Sequence, residues 1–252
     1  MAAQQTNLDT IANNLANSAT AGFRQTRVQF EDMVYQNLVT PGSPATTSTS
    51  SAGLQVGLGT RTAATEIIQT QGDFNQTGNT LDVAIQGAGF FQVQQPDGTI
   101  AYTRSGSFHM NNQGTIVTVE GNTVLPAITV PSTATSLTIS AYGVVSATLP
   151  GQTTPAQLGT MQLANFANPG GLNALGGSQF AQTPASGAAV TDPPGGASGV
   201  GTLQQGYLEN SNVDVVSEFV QMILAQRAYE SNSKVIHVAD DMYQQVNGMI
   251  RS

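Results

Sequence analysis

Few side chains in this sequence are of a type that does chemistry. His237 stands just ahead of Asp240 and Asp241 in a stretch of helical spacing. There a carboxylate would orient an imidazole for proton transfer or for holding a metal. A lone His–Asp pair lacks a nucleophile and a third ligand, so the plain reading is a surface or seam side chain. Ser231 and Lys234 match the S-x-x-K pattern of acyl-transferring enzymes, but the S-D-N and K-T-G elements that accompany it are missing. Gly87-Ala88-Gly89 lacks the third glycine and the following helix of a dinucleotide site. Asp73, Asp82 and Asp97 do not have the spacing of a calcium loop, and His109, the other histidine, lies beside an expected strand. Cysteine is absent, which removes thiol nucleophiles, disulfides and Cys-ligated zinc together. The sequence therefore predicts no catalytic residue, no cofactor and no metal, and no enzymatic activity is expected.

The composition points to packing instead. Only 9% of the 252 residues are charged, against roughly a quarter in ordinary soluble proteins. Such a surface can be covered by neighbours without desolvating many charges. Net charge is −8. Arg24, Arg27, Arg61, Arg104, Arg227, Arg251 and Lys234 are scattered, so there is no basic stripe and no nucleic-acid partner is expected. No apolar run reaches the ~18 residues of a membrane span. The N-terminus has neither a basic nor an apolar region of the secretory kind. No cleavable signal peptide is expected, and export would read something else.

The elements follow from periodicity. Leu8, Ile11 and Leu15 place a helix over 3–17, with Asn13, Asn14 and Asn17 as poor helix formers whose amides seek partners outside it. Gly22 ends the break that follows. Residues 23–38 read as extended first and helical later, with Phe23 and Phe30 in a core. Residues 40–53, rich in hydroxyls and proline, read as a linker or as a surface element reaching a neighbour. Strands are expected at 65–70, 83–85, 90–93, 100–102, 115–119, 127–130, 137–139 and 143–145, with Pro96-Asp97-Gly98 closing a hairpin. A returning strand is expected at 157–166 and loop at 168–201. A long helix then runs from 213 to about 250, opened by a Ser211–Asp214 capping box. Its seam, spaced by threes and fours, comprises Val215, Phe219, Met222, Gln226, Tyr229, Ser233, Ile236, Asp240, Tyr243, Val246 and Ile250, with Ile223 beside it. The fold class expected is mixed α and β: terminal helices forming a coiled-coil-like α-helical stem, with an inserted mainly antiparallel β domain. The divisions are 1–38 (helical core segment), 39–66 (linking segment), 67–204 (β outer domain with loop 168–201) and 205–252 (long core helix).

Four blocks carry a resemblance. The first is Asn14-Leu15-Ala16-Asn17-Ser18-Ala19-Thr20-Ala21-Gly22-Phe23-Arg24. The second is Gln71-Gly72-Asp73-Phe74, leading to Asp82-Val83-Ala84-Ile85-Gln86-Gly87-Ala88-Gly89-Phe90-Phe91. The third is Tyr102-Thr103-Arg104-Ser105-Gly106-Ser107-Phe108, and the fourth joins Gln205-Gly206-Tyr207-Leu208-Glu209-Asn210-Ser211-Asn212-Val213-Asp214 to Gln226-Arg227-Ala228-Tyr229-Glu230. Together they resemble the bacterial flagellar basal-body rod family over almost the whole chain, most weakly at 168–200. Asn14, Leu15, Ala16, Asn17, Thr20, Gly22, Phe23 and Arg24 match its signature.

The stretch 35–60, ending Gly53-Leu54-Gln55-Val56-Gly57-Leu58-Gly59-Thr60, is similar to the distal-rod members. The resemblance implies a homo-oligomer built helically in the periplasm, after export of the unfolded chain through the flagellar type III apparatus. It implies a drive shaft inside the P and L rings, joining proximal rod proteins to hook or hook-junction proteins. It implies that residues 40–53 lock neighbours together, and that Leu8, Ile11, Leu15, Val215, Phe219, Met222, Ile223, Tyr229, Ile236 and Tyr243 form the assembly core. Family members usually begin earlier, with further amphipathic helix, so either the start lies upstream of Met1, which is the expectation, or this copy is shortened. The alternatives are a proximal rod or hook-type axial subunit, or an extracellular adhesin or tail-fibre module.

Overall fold

The computed structural model describes residues 1–39, 53–152 and 154–250. Terminal helices flank a central antiparallel β region, and the chain divides into two compact units. One contains 1–15, 26–66 and 215–252, the other 16–25 and 67–214.

The first unit holds both helices, α1 (Ala2–Ala16) and α2 (Val215–Ile250). On α1, Ile11 and Asn14 are buried while Leu8 and Leu15 are half-buried. The Asn14 amide does what its position in a helix suggests. Its Nδ2 donates to the Thr26 carbonyl at 2.8 Å and its Oδ1 accepts the Thr26 amide at 2.9 Å. One side chain thus supplies both bonds that a neighbouring strand would give to Thr26.

The expected helix toward residue 38 is not formed. Residues 26–38 are extended, as Thr26–Asp32 paired with Thr60–Ile67, and Tyr35–Val39 paired antiparallel with Leu54–Gly57. The spacing of Val34 and Leu38 suited a helix, but a partner strand more distant in sequence satisfies this backbone instead. The strand expected from residue 65 accordingly begins earlier, at Thr60. Arg27–Glu66 at 2.9 Å and Arg61–Glu31 at 3.0 Å bridge the ribbon. Val28 is buried, whereas Phe30 is 41% exposed and is not core. The reading of 40–53 as linker or locking element falls, for 40–52, outside the described residues.

The second unit is built on a meander. Phe90–Gln94 pairs with Ile100–Thr103 through the expected turn, where Gly98 has φ +85° and its amide returns to Gln95 O at 2.9 Å. Phe90–Gln94 also pairs with Thr123–Leu125, and the sheet continues through Ile116–Thr118 to Phe108–Met110. Ser136–Ile139, Val144–Thr148 and Ala156–Thr160 form a second sheet. Phe91, Phe108, Ile85, Val93, Val145, Met161 and Leu163 fill the main core, with the Phe91 and Phe108 rings edge-on at 4.9 Å. Phe90, Tyr102, Phe166 and Phe180 fill a smaller one.

Three expectations are corrected here. Residues 127–130 make only a single bridge, Thr129 to Thr115, although Ile128 and Val130 are buried. The flanking Pro126 and Pro131 lack the amides that a ladder needs. The returning strand at 157–166 is two strands, broken where the Met161 amide turns to Gly143 O at 2.8 Å. The loop at 168–201 contains Asn173–Gly176, Gln179–Ala181 and Val190–Asp192. Their Gly/Ala-rich composition reads as loop, but Asn173–Gly176 folds back on Gln179–Ala181, and ready-made edges at Ile100–Thr103 and Leu163–Asn165 pair Gln179–Ala181 and Val190–Asp192.

Candidate functional site

Helix α2 is long because little interrupts it, and outside Glu218 and Ala225 much of its surface is left uncovered by the described residues. It starts at Val215, so Ser211 lies outside its first turn and instead accepts the Val213 amide at 3.3 Å; Asp214 immediately precedes the helix. Of the seam residues, Met222 and Tyr229 are half-buried, while Phe219 (48%), Ile223 (54%), Ile236 (48%) and Tyr243 (71%) are exposed, as is Val215. The apolar surface is wider than the seam. Beyond it Val216, Val220, Leu224, Val235, Val238, Met242 and Met249 are exposed, as is Val246 of the seam itself. The signal was present in the doubled pattern 215–216, 219–220 and 223–224, which lays down two adjacent stripes. Exposed apolar surface on this scale marks an interaction site. Phe30, Met33, Val34, Tyr35, Leu38, Leu54, Val56 and Leu58 on the ribbon are also exposed, and a two-stranded ribbon is marginal in water by itself.

The second feature is a buried charge cluster within the β unit. The arginines called scattered are not all so: Arg24 and Arg104 meet at Glu209. Arg24 Nη2 lies 2.7 Å from Glu209 Oε1, with both side chains fully buried. Arg104 Nε stands 3.8 Å from Glu209 Oε2. Arg24 Nη1 donates to Thr70 O at 2.9 Å, Arg104 Nη2 to Gly87 O at 2.7 Å, and the Gly72 amide to Glu209 Oε1 at 3.1 Å. Arg104 also sits 5.6 Å above the Phe90 ring. Burial pulls the Arg104 guanidinium down to about 10, with Glu209 acting against that and the nearby charge of Arg24 adding to it.

Asn212 completes the arrangement. Its Oδ1 accepts the Gln25 amide at 2.7 Å and its Nδ2 donates to Ile68 O and Thr70 O, both at 3.0 Å. The packing is close enough to need glycine. A Cβ on Gly72 would drive into the Asn210 carbonyl, and Gly22, at φ +71°, lies against the Ser105 backbone. In a chain so poor in charge, each of these charged residues sitting among glycines and aromatics was the readable sign.

Neither histidine joins the charge cluster; His109 and His237 are both exposed, the latter on α2. Among the described residues no group of three or more His, Asp or Glu side chains could hold a metal ion. No helix among them is long and apolar enough to cross a membrane.

Family models match three separate stretches of this chain. The flagella basal body rod protein model covers residues 1–24, the flagellar hook protein FlgE/F/G D1 domain model 84–147, and the flagellar basal body rod FlgEFG protein C-terminal model 204–249. The flagellar basal-body rod protein FlgG of Caulobacter vibrioides is 48% identical over 246 residues, covering 97% of this chain and 94% of that protein. The chain belongs to the flagellar basal-body rod family. FlgG of Buchnera aphidicola subsp. Acyrthosiphon pisum is 47% identical over 246 residues (97% and 94%), and FlgG of Bacillus subtilis 39% over 252 (98% and 94%). FlgF of Mesorhizobium japonicum is less similar, at 33% over 232 residues (91% and 85%). As a member of the rod family the chain is a structural subunit of an oligomeric assembly, not an enzyme. Each rod-family stretch contributes one member of the charge cluster: Arg24, Arg104 and Glu209.

Proposed function

We propose that this chain is the distal-rod subunit, polymerising helically into the rigid shaft that carries motor torque to the hook. The observation that carries this reading is the broad apolar face of α2, left open in a single chain whose similarity to FlgG relatives exceeds that to the FlgF relative. Covering that face with other copies buries it without desolvating many charges. Leu8, Ile11 and Leu15 of α1, with Val215, Phe219, Met222, Ile223, Tyr229, Ile236 and Tyr243 of α2, then form the inner tube, and the β unit forms the outer wall. The ribbon strands Tyr35–Val39 and Leu54–Gly57 reach the neighbouring copy. The remaining partners are proximal rod proteins on one side, hook or hook-junction proteins on the other, and the P and L rings around the shaft. The chain reaches the periplasm through the flagellar type III export apparatus.

Cryo-electron microscopy of basal bodies from the source cell tests this. Side-chain density in the distal rod should trace this sequence, with residues 215–250 lining the inner tube. A distal rod built of another chain would overturn the proposal.

A further inference from the structure

The buried charge cluster joins parts of the chain that are remote in sequence, and it does so on behalf of the whole β unit. Segment 22–25 enters from the start of the chain and 202–212 from its end. The Gln25–Asn212 bond spans 187 positions, the Gly72–Glu209 bond 137, and the Ile68–Asn212 bond 144. The Gly22 amide donates to Glu209 O at 2.9 Å, and the Asn210 amide to Asp73 O at 2.8 Å. In the same stretch Thr202–Gln205 pairs with Val83–Gln86, and Tyr207–Glu209 with Phe74–Gln76. Val83 and Ile85 are fully buried in the main core, where Leu203 packs with them.

Two physical costs weigh against early closure. Contacts so distant in sequence require loop closure before they return any stability. Burying one carboxylate with two guanidinium groups costs several kcal/mol per ion until every partner is in place. The meander over 90–125 bears less of either cost: its pairings reach no further than Gln92 with Leu125, and its core side chains are apolar.

We propose that the Arg24–Glu209–Arg104 clasp is the last part of the β unit to form. That unit then completes its folding only when residues 22–25 and 202–212 are both present. The consequence for export rests on the reading above. A chain threading through a channel could not finish its β unit until residues near its C-terminal end had emerged, so the fold itself would delay premature closure.

The test is folding kinetics in urea on the full chain, which is independent of any export route. Glu209→Gln, Asn212→Ala and Thr70→Val, whose hydroxyl accepts from Asn212 Nδ2 at 2.9 Å, are compared with Val93→Ala in the meander. Glu209→Gln should speed unfolding by about tenfold or more, and Thr70→Val by a few-fold, while folding rates change less than about twofold. Their φ values should fall below about 0.3, and that of Val93→Ala should lie above it. Clasp φ values above that figure would overturn the proposal, as would a Val93→Ala value no higher than theirs. If Glu209→Gln does not fold, the milder Thr70→Val and Asn212→Ala supply the same ratio. A failure here leaves the export reading untouched, and a chain shown to leave by another route leaves the folding order untouched.

Discussion

On the proposed packing of α2 against other copies, replacing Phe219 or Ile223 by Asp should separate assembly from folding, and the size of the effect follows from their exposure. In the lone chain the two residues are 48% and 54% exposed. Full burial of such a side chain is worth about 1.5–3 kcal/mol, so about 1 kcal/mol remains to be gained at each on assembly. Aspartate forfeits that gain and places a carboxylate in the contact, where an uncompensated charge costs about 3 kcal/mol or more. The sum, about 4 kcal/mol per subunit contact, weakens association about a thousandfold. In a helical polymer every subunit repeats the loss, so the threshold concentration rises by a similar factor. Neither residue belongs to either core of the β unit, so near-ultraviolet circular dichroism and urea unfolding of that unit should be unchanged. Phe219→Asn, which brings polarity without charge, should fall between wild type and Phe219→Asp. The assay is pelleting or light scattering of purified subunit across a concentration series, with dichroism on the same samples. Polymerisation of Phe219→Asp at the wild-type threshold would refute the reasoning, and so would loss of the β fold.

Four further outcomes are expected. Phe91→Ala removes a fully buried ring edge-on to Phe108, and urea denaturation should show about 3–5 kcal/mol of lost stability; a loss below 1 kcal/mol would contradict the packing. Gly72→Ala should cost about 1–3 kcal/mol by the same method, because the added carbon meets the Asn210 carbonyl rather than a flexible side chain; a neutral result would count against that close approach. The Glu66 carboxyl is held below its ordinary value of 4.5, first by the hydrogen bond from Arg27, then by that from Gln29, and then by the Arg27 charge. Its contribution to the ribbon is therefore complete above that ordinary value and disappears as pH falls through the lowered one. Amide exchange over residues 26–32 and 60–67 should show that loss in the wild type and not in Glu66→Gln; identical profiles would refute it. Deleting residues 42–52, which lie outside the described residues, should leave a folded subunit whose rods bend more easily; rods of unchanged stiffness would show that the segment does not lock neighbours.

Much of this protein is legible one segment at a time. The spacing of Leu8, Ile11 and Leu15, the run from Val215 to Val246 and the turn at Pro96-Asp97-Gly98 each specify local structure through backbone geometry alone, and the fold class follows from them. The family signature around Asn14 and Arg24 is equally local. The failures share a cause. Residues 26–38, 127–130, 179–181 and 190–192 have backbones with hydrogen-bond partners elsewhere in the chain, so composition near the segment could not announce them. Phe30 looked like core because aromatic residues usually are, but exposure depends on what the ribbon packs against.

The charge cluster makes the same point most sharply. Arg24, Arg104 and Glu209 each stand out in a chain poor in charge, but no spacing rule connects them. Sequence by itself determined that the chain carries two terminal helices, a β-rich middle, an apolar helix surface and no catalytic constellation, because those properties are periodic or compositional. Only the tertiary structure decided which charges are buried together and which apolar side chains stay uncovered. Burial is a property of the neighbours that a folded chain brings to a residue, and those neighbours lie far away along the sequence.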